Sequence, residues 1–493
     1  MMLDADLQSV QEVRHCLQGA REAQKRLAGM SQGQIDQIVQ RMAEAARAEA
    51  GRLAGMAVEE TGYGRVADKT VKNLFAAVDV YESIKDKKTV GIIRRDEQKR
   101  VWEIAQPVGV VAGIVPSTNP TSTVIFKALI SVKAGNAIVF SPHPHAAKCK
   151  KEAAAVMQAA AERAGAPAGL ISCIAHPTLA ASQELMRHSD TDVILATGGT
   201  AMVKAAYSSG KPAFGVGPGN VPVYIHASAD IAAAVRQTVQ SKTFDYGTIC
   251  ASEQALVVDK SIKRKVVEEL KRQGAYFLDD HEHKRVAAII MRAGGLNPAI
   301  VGKSPQAIAE LAGILVPEDA TLLIAEETEV GMNHPYSIEK LAPILTLYTV
   351  SDTAEASRLC TRLLELGGLG HTIGLHCQDS HVIESFVLDK PASRIVVNAG
   401  TTFGGIGATT GIAPSLTLGC GSFGNNVTSD NIGPEHLFNI KRVAFGLREM
   451  KLEGPQASVQ ATAAAAAAGP AISRDEIAEI IKSVLLELQS TNR

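Results

Sequence analysis

Residues Phe244 to Gln254, FDYGTICASEQ, set Cys250 three positions after a glycine, among the small uncharged neighbours Gly247, Thr248, Ala251 and Ser252. Such neighbours leave room for a substrate to reach the sulfur, and cysteine is an intrinsically strong nucleophile near neutral pH. Backbone amides at a helix start would lower its pKa further. The chemistry to expect is attack on a carbonyl carbon with a covalent adduct on sulfur. A lone cysteine is more often a small buried hydrophobe, so this reading depends on what the rest of the chain places around it.

Flanking elements must hold such a group in place. The chain has 493 residues, too many for one core, and roughly 100 to 200 residues per domain gives two or three domains. Hydrophobic residues make up 46%, charged residues 20%, and the formal net charge is -1. That balance argues against nucleic acid or an anionic membrane held by bulk charge and points to a small-molecule partner. The seven cysteines, Cys16, Cys149, Cys173, Cys250, Cys360, Cys377 and Cys420, are odd in number and lack CxxC spacing. Neither a disulfide framework nor a metal site is expected, and a reduced cytoplasmic setting is. No leader-like apolar segment opens the sequence and no run of 18 apolar residues occurs in it, so neither export nor a membrane span is expected.

Apolar positions recur at helical spacing through Ile35, Ile38, Val39 and Met42, and again through Leu74, Val78 and Ile84. This predicts a helical segment from residue 4 to about 85. From Trp102 the texture changes, because QPVGVVAGIV is a β-branched run halted at Pro116 and Pro120. It reads as a buried strand delivering a loop. The pattern repeats as a helix at 122–133, a strand at 136–140, a helix at 147–164 and strands at 170–174 and 193–196, the last running into Thr197-Gly-Gly-Thr200 and another helix. A further strand at 221–226 follows GVGPGN. From about 230 to 435 the alternation returns, with strands at 255–258, 342–348 and 393–398. Strands alternating with helices predict βαβ units and mainly parallel sheets, so the fold class is α/β with two Rossmann-like domains. Cys250, near the start of the second, could face the first across a cleft.

The tail differs in kind. Residues 454–471 hold an alanine run between proline-bearing ends and read as a low-complexity linker. Residues 472–490 read as an amphipathic helix, with Ser473 as N-cap, Glu476 completing a capping box and Ile472 stapled to Ile477. Ile477, Ile480, Ile481, Val484, Leu485 and Leu488 fall on one stripe, and Glu479, Lys482 and Glu487 on the other. Alone at this length such a helix is not stable in water. Its stripe needs a groove on its own body or on another protein, and the long linker favours another protein.

Five segments, PSTNP (116–120), SPHPHA (141–146), TGGT (197–200), GVGPGN (215–220) and FDYGTICASEQ (244–254), resemble in order and spacing the CoA-acylating aldehyde dehydrogenases of the aldehyde dehydrogenase superfamily, over roughly residues 4 to 450. Singly each is weak, since TGGT lacks the GxGxxG of a standard dinucleotide site; together they are specific. The resemblance implies that Cys250 attacks an aldehyde and that the tetrahedral oxyanion is held by the Cys250 amide and by Thr118 or Asn119, between which the sequence does not choose. Hydride then passes to a nicotinamide and leaves a thioester. Hydrolytic members carry a glutamate base at the start of the segment that here runs from Gly215 to Asn220, and this chain has Gly215 or its neighbour there. Without a general base, worth about 100-fold or more, the acyl group is expected to pass reversibly to CoA and not to water.

The resemblance further implies NAD as cofactor and CoA as co-substrate, sharing one adenine site. Pro116, Ser117, Gly217 and Pro218 would line the cofactor's path. Ser141, Pro142 and His143 would hold the adenosine ribose. Thr197, Gly198, Gly199 and Thr200 would lie by the pyrophosphate at a helix start, and Glu339, in EKLAP, would bind the nicotinamide ribose. Neither the ribose nor the pyrophosphate motif has an arginine or lysine for a 2'-phosphate, which favours NAD over NADP. His371 reads as a core or loop histidine and not as a base for the CoA thiol. The expected layout is a NAD/CoA-binding domain at 1–230 with a strand extension near 93–107, a thiol domain at 231–435, and a return strand at 436–453 that pairs subunits into a dimer or tetramer through 439–447. The helix at 472–490 resembles the encapsulation peptides that draw enzymes into bacterial microcompartments by docking on shell or cargo proteins. Its C-terminal placement resembles the propionaldehyde-processing members of glycyl-radical-type compartments. The expectation is therefore an acylating enzyme for propionaldehyde, with acetaldehyde or another small aldehyde as alternative substrate and a non-catalytic compartment scaffold as the alternative from another class.

Overall fold

The computed structural model describes residues 4–450 and 473–490. The N-terminal segment is helical as its periodicity predicts, in helices Ala5–Leu27, Gln32–Ala48, Ala50–Thr61 and Val66–Leu74. Ser31 and Gln34 form a reciprocal capping box on the second of these, which buries Ile35, Ile38, Val39 and Met42. Helix Ala5–Leu27 packs directly on a five-stranded parallel sheet ordered Ile171–Cys173, Ala137–Ser141, Val110–Ile114, Val193–Thr197, Ala213–Val216. The other three pack on helices Pro120–Lys133 and Ala147–Arg163, which lie between them and the sheet. Its central strand is buried throughout, as a β-branched run covered on both faces must be. Helix Pro120–Lys133 leaves the carboxyl end of that strand and is buried along its whole length, its first position taken by a proline that needs no hydrogen-bond partner there.

A second, seven-stranded parallel sheet is ordered Ala275–Phe277, Leu322–Glu326, Ile344–Val350, Glu253–Asp259, Val221–Ile225, Gly370–His376, Ala392–Val397. Its membership corrects the expected domain boundary at 230. Strand Val221–Ile225 pairs with Glu253–Asp259 and Gly370–His376, so it belongs to the second sheet and not to the first domain. The first sheet instead ends with Ala213–Val216, which pairs with Val193–Thr197. The chain changes sheets within residues 217–220, because glycine and proline there end one strand without room for a helix before the next. A separate antiparallel sheet joins hairpin Gly91–Asp96 and Val101–Pro107 to Phe438–Ala444, where the strand extension and return strand are expected.

The strands of the second sheet have apolar clusters of their own, but residues outside those strands join the first sheet's core. Ile249, Ala251, Ile406 and Leu418 pack in one apolar cluster with Val115 and Val216 of the first sheet's strand ends. Residues up to Ala444 form one compact unit and those from Phe445 another. The second unit contains helix Arg474–Ser490. Its predicted box is present: the Ser473 N–H donates to Glu476 Oε2 at 2.8 Å and the Glu476 N–H to Ser473 Oγ at 3.3 Å. The linker at 454–471 and Ile472 of the staple lie outside the described residues. No helix among the described residues is long and apolar enough to cross a membrane.

Candidate active site

Cys250 lies half-buried in a turn between a short 3-10 segment, Phe244–Gly247, and strand Glu253–Asp259. No helix starts at it, so the expected lowering of its pKa by helix amides has no source. Burial instead pushes the thiol up to about 12, with Glu339 and Cys420 adding to the rise and Arg394 opposing it. The sulfur-bearing turn is pressed against residues 217–220. A Cβ at Gly219 would stand 2.1 Å from the Cys250 carbonyl oxygen and 3.0 Å from His371 Nδ1, so only glycine allows these three segments to meet.

Cys250 opens onto a cavity of about 670 Å³ that reaches from Glu339 and Cys250 at one end to His143 and Leu179 at the other. Pro116, Ser117, Thr118 and Asn119 line it from the first sheet's central strand. Ser141, Pro142 and His143 line it from the neighbouring strand, and Thr197, Gly198, Gly199, Gly217 and Pro218 from the next two strand ends. Thr200 does not: it starts helix Thr200–Tyr207 exposed, outside the lining. Of the GVGPGN segment, Gly215 faces away, since a Cβ on it would meet Val203 and Tyr207 at 2.8 and 2.9 Å. Its neighbour Val216 lines the cavity and brings no polar side chain to it.

Glu339 is the one carboxylate in the lining. Its Oε1 accepts the Gly219 N–H at 2.9 Å, and burial raises its pKa to about 7, against the pull of that N–H and of Lys242 and Lys340. His371 is fully buried, its Nδ1 3.0 Å from Thr372 Oγ1 and its Nε2 without a hydrogen-bond partner. Burial and the Arg394 charge hold it well below the ordinary histidine range, so it is neutral. It does not line the cavity, in keeping with a core histidine. Arg394 is fixed behind the thiol by donating to the carbonyl oxygens of His371 at 2.9 Å and Ser429 at 3.2 Å.

Sequence reasoning missed the groups under the loop that carries Thr118 and Asn119. Asp245 is wholly buried and sits at a positive φ of 50°, a strained conformation of the kind that clusters at functional sites. Its carboxylate accepts from the Arg65 N–H at 2.8 Å, Thr248 Oγ1 at 2.7 Å, Lys69 Nζ at 2.9 Å and Lys72 Nζ. Lys72 also donates to Asn119 Oδ1 at 2.6 Å, and Lys69 to the Thr118 carbonyl oxygen at 2.8 Å. Two lysines three apart on a helix look like a solvated face in sequence, so no signal marked them.

At the other end, Ser141 Oγ pairs with Ser182 Oγ at 2.8 Å and Thr197 Oγ1 with Thr417 Oγ1 at 3.3 Å. A Cβ at Gly199 or Gly217 would meet no atom within 4 Å; their missing side chains leave cavity space open. Helix Thr200–Tyr207 has Gly199 as its N-cap and no side-chain cap, so its first amides remain available to an anion.

Strand ends of both parallel sheets, the Cys250 thiol and Gly199, the N-cap of an otherwise uncapped helix, meet on this one cavity. The model of the aldehyde dehydrogenase family matches residues 2–304, and the chain belongs to that family. It is 71% identical to an acetylating aldehyde dehydrogenase of known structure from Geobacillus thermoglucosidasius, with a TM-score of 0.91 over 92% of this chain and 100% of that one. It is 46% identical to the bifunctional aldehyde-alcohol dehydrogenase AdhE of Escherichia coli over 88% of this chain and 50% of that protein, so it spans about half the length of the first curated relatives it matches. A propionaldehyde dehydrogenase from the fucose utilisation bacterial microcompartment of Clostridium phytofermentans is 28% identical, with a TM-score of 0.80 over 88% of this chain and 97% of that one.

Proposed function

We propose that the protein is a CoA-acylating aldehyde dehydrogenase that oxidises a short uncharged aldehyde with NAD through a thioester on Cys250. One observation carries the reading: the cavity that holds the thiol has Val216 where hydrolytic members have a base. Cys250 would lose its proton to bulk water and add as the thiolate to the aldehyde carbon, the carbonyl π pair moving onto oxygen as the oxyanion. The Cys250 amide and a side chain of the Thr118–Asn119 pair, whose Oγ1 and Nδ2 lie 3.3 Å apart, would meet the oxyanion. Gly198, Gly199 and the start of helix Thr200–Tyr207 fit a pyrophosphate, His143 the adenosine end and Glu339 the nicotinamide ribose. The dinucleotide, when bound there, supplies the hydride acceptor. Val216 offers water no base and Glu339 is engaged by the Gly219 N–H and assigned to the ribose, so water is poorly ionised there, whereas a thiol ionises far more readily and its exchange is nearly isoenergetic. CoA is the fitting acceptor.

Lys72 is the only lysine or arginine in the lining, and its ammonium is paired with Asp245. Its donor hydrogens are already given to Asp245, Asn119 and Thr248, so a carboxylated or sulfonated aldehyde would find no uncommitted donor there. For chain length, the 71% identity to an acetylating enzyme supports acetaldehyde ahead of propionaldehyde, reversing the order read from the tail. The similarity to a microcompartment enzyme supports recruitment of this chain to such a compartment through residues 472–490, on whose helix Ile477, Ile480, Ile481 and Val484 are exposed. Nothing in the site favours a non-catalytic scaffold. NADH formation from acetaldehyde, propionaldehyde and a carboxylated aldehyde, each with and without CoA, tests the reading. CoA-dependent turnover of the first two is expected; sustained turnover without CoA would overturn it.

A further inference from the structure

The buried ions under Cys250 tie three segments to one point. Asp245 belongs to the turn that carries the thiol, Lys69 and Lys72 to helix Val66–Leu74, and Thr118 and Asn119 to the loop after the first sheet's central strand. All three ionic side chains are almost fully buried, at 0%, 3% and 4% exposure, where two ammonium groups against one carboxylate leave one positive charge in excess. That excess is aimed at the loop: Lys72 donates to Asn119 Oδ1 at 2.6 Å and to Thr248 Oγ1 at 3.1 Å. An ammonium group can only donate. Asn119 must therefore turn its oxygen to Lys72 and its NH₂ away from it. One of those hydrogens goes to the Thr248 carbonyl oxygen at 2.9 Å; the other has only a long 3.3 Å contact with Thr118 Oγ1. Asn119 stands at the N-cap of helix Pro120–Lys133 yet makes no capping bond, so its side chain is held for something else. Gly64 shows how closely the parts are keyed, because a Cβ there would stand 1.8 Å from Asp245 Oδ1.

We propose that Lys72, anchored by Asp245, is a positioning residue that fixes the Asn119 amide with its NH₂ presented to the oxyanion formed at Cys250. The inference rests on the thioester reading above and goes further by naming the group that orients the donor. An ammonium this close also adds positive potential where negative charge develops.

The test is the rate of the first NADH burst in Lys72→Met, Asn119→Ala and the double variant, with NAD binding measured alongside. Losing one oxyanion donor costs about 100-fold or more. Lys72→Met is expected to slow acylation by about that factor, with the NAD dissociation constant unchanged, and the double variant to be no slower than Asn119→Ala by more than about threefold, because the two act as one unit. A Lys72→Met burst at the parent rate, or losses that multiply in the double variant, would overturn the proposal. Should Lys72→Met not fold, Lys72→Ala with added ethylammonium replaces it: restored burst rate supports the proposal, and a folded variant that ethylammonium does not restore overturns it. Cys250→Ala is run in parallel; if that variant still forms NADH, it is the thioester reading that fails, independently of Lys72.

Discussion

Burial and a neighbouring carboxylate keep the Cys250 thiol protonated, at about 12, so its reactivity is set by what removes or offsets negative charge near it. Glu339 is the largest contributor after burial and itself titrates at about 7. Below that pH it is neutral and does not oppose the thiolate; above it the carboxylate does. Glu339→Gln should therefore lower the thiol pKa and speed alkylation of Cys250 by iodoacetamide at mildly alkaline pH, with little change below the Glu339 titration. If the thiol pKa falls by one pH unit, the thiolate fraction and with it the alkylation rate rise about tenfold. Equal rates in parent and variant at alkaline pH would separate the two groups. Cys250→Ala should abolish NADH formation and leave NAD binding intact, measured by fluorescence titration. At this scale the sequence was readable where chemistry sits on small residues. Cys250 stood among glycine, threonine and alanine, and Glu339 in a short motif. Lys72 and Asp245 were unreadable because their meaning comes from a burial that local sequence does not report.

The elements around the site meet through glycines of two kinds. At Gly219 a methyl group would strike the Cys250 carbonyl oxygen at 2.1 Å, whereas at Gly217 it would meet nothing within 4 Å. Gly219→Ala should displace the thiol turn, lowering both the melting temperature and the burst rate. Gly217→Ala should melt like the parent and raise KM for the dinucleotide, because the methyl group projects into space the ligand needs. Steady-state kinetics with calorimetric melting separate these outcomes, and equal effects from the two substitutions would refute the distinction. Strands at 110–114, 137–141 and 253–259 were legible as β-branched runs. Ala213–Val216 was not, since four residues with a glycine among them carry no period, and this loss moved Val221–Ile225 into the wrong sheet. Gly370–His376 was missed for a related reason: two glycines and two histidines dilute the apolar pattern of a strand that is buried throughout.

For the whole molecule, the alternation of strands and helices set the class of fold, while the joining of two sheets around one cavity came only from long-range pairing. The chain from Phe445 is a separate unit, and its helix carries a capping box and an apolar stripe that a free helix of 17 residues cannot stabilise alone in water. If the stripe serves recruitment, removing residues 455–493 should leave kcat, KM and the melting temperature of the enzyme unchanged while abolishing its co-purification with compartment shells. A reporter protein fused to residues 455–493 should gain that co-purification, and Ile480→Glu with Val484→Glu in the fusion should lose it, because charge on the stripe removes the apolar contact without altering the caps. A fall in kcat or melting temperature on truncation would place the stripe on the enzyme's own surface instead. A fusion that stays outside the shells would leave the tail with no part in recruitment, without touching the chemistry assigned to Cys250.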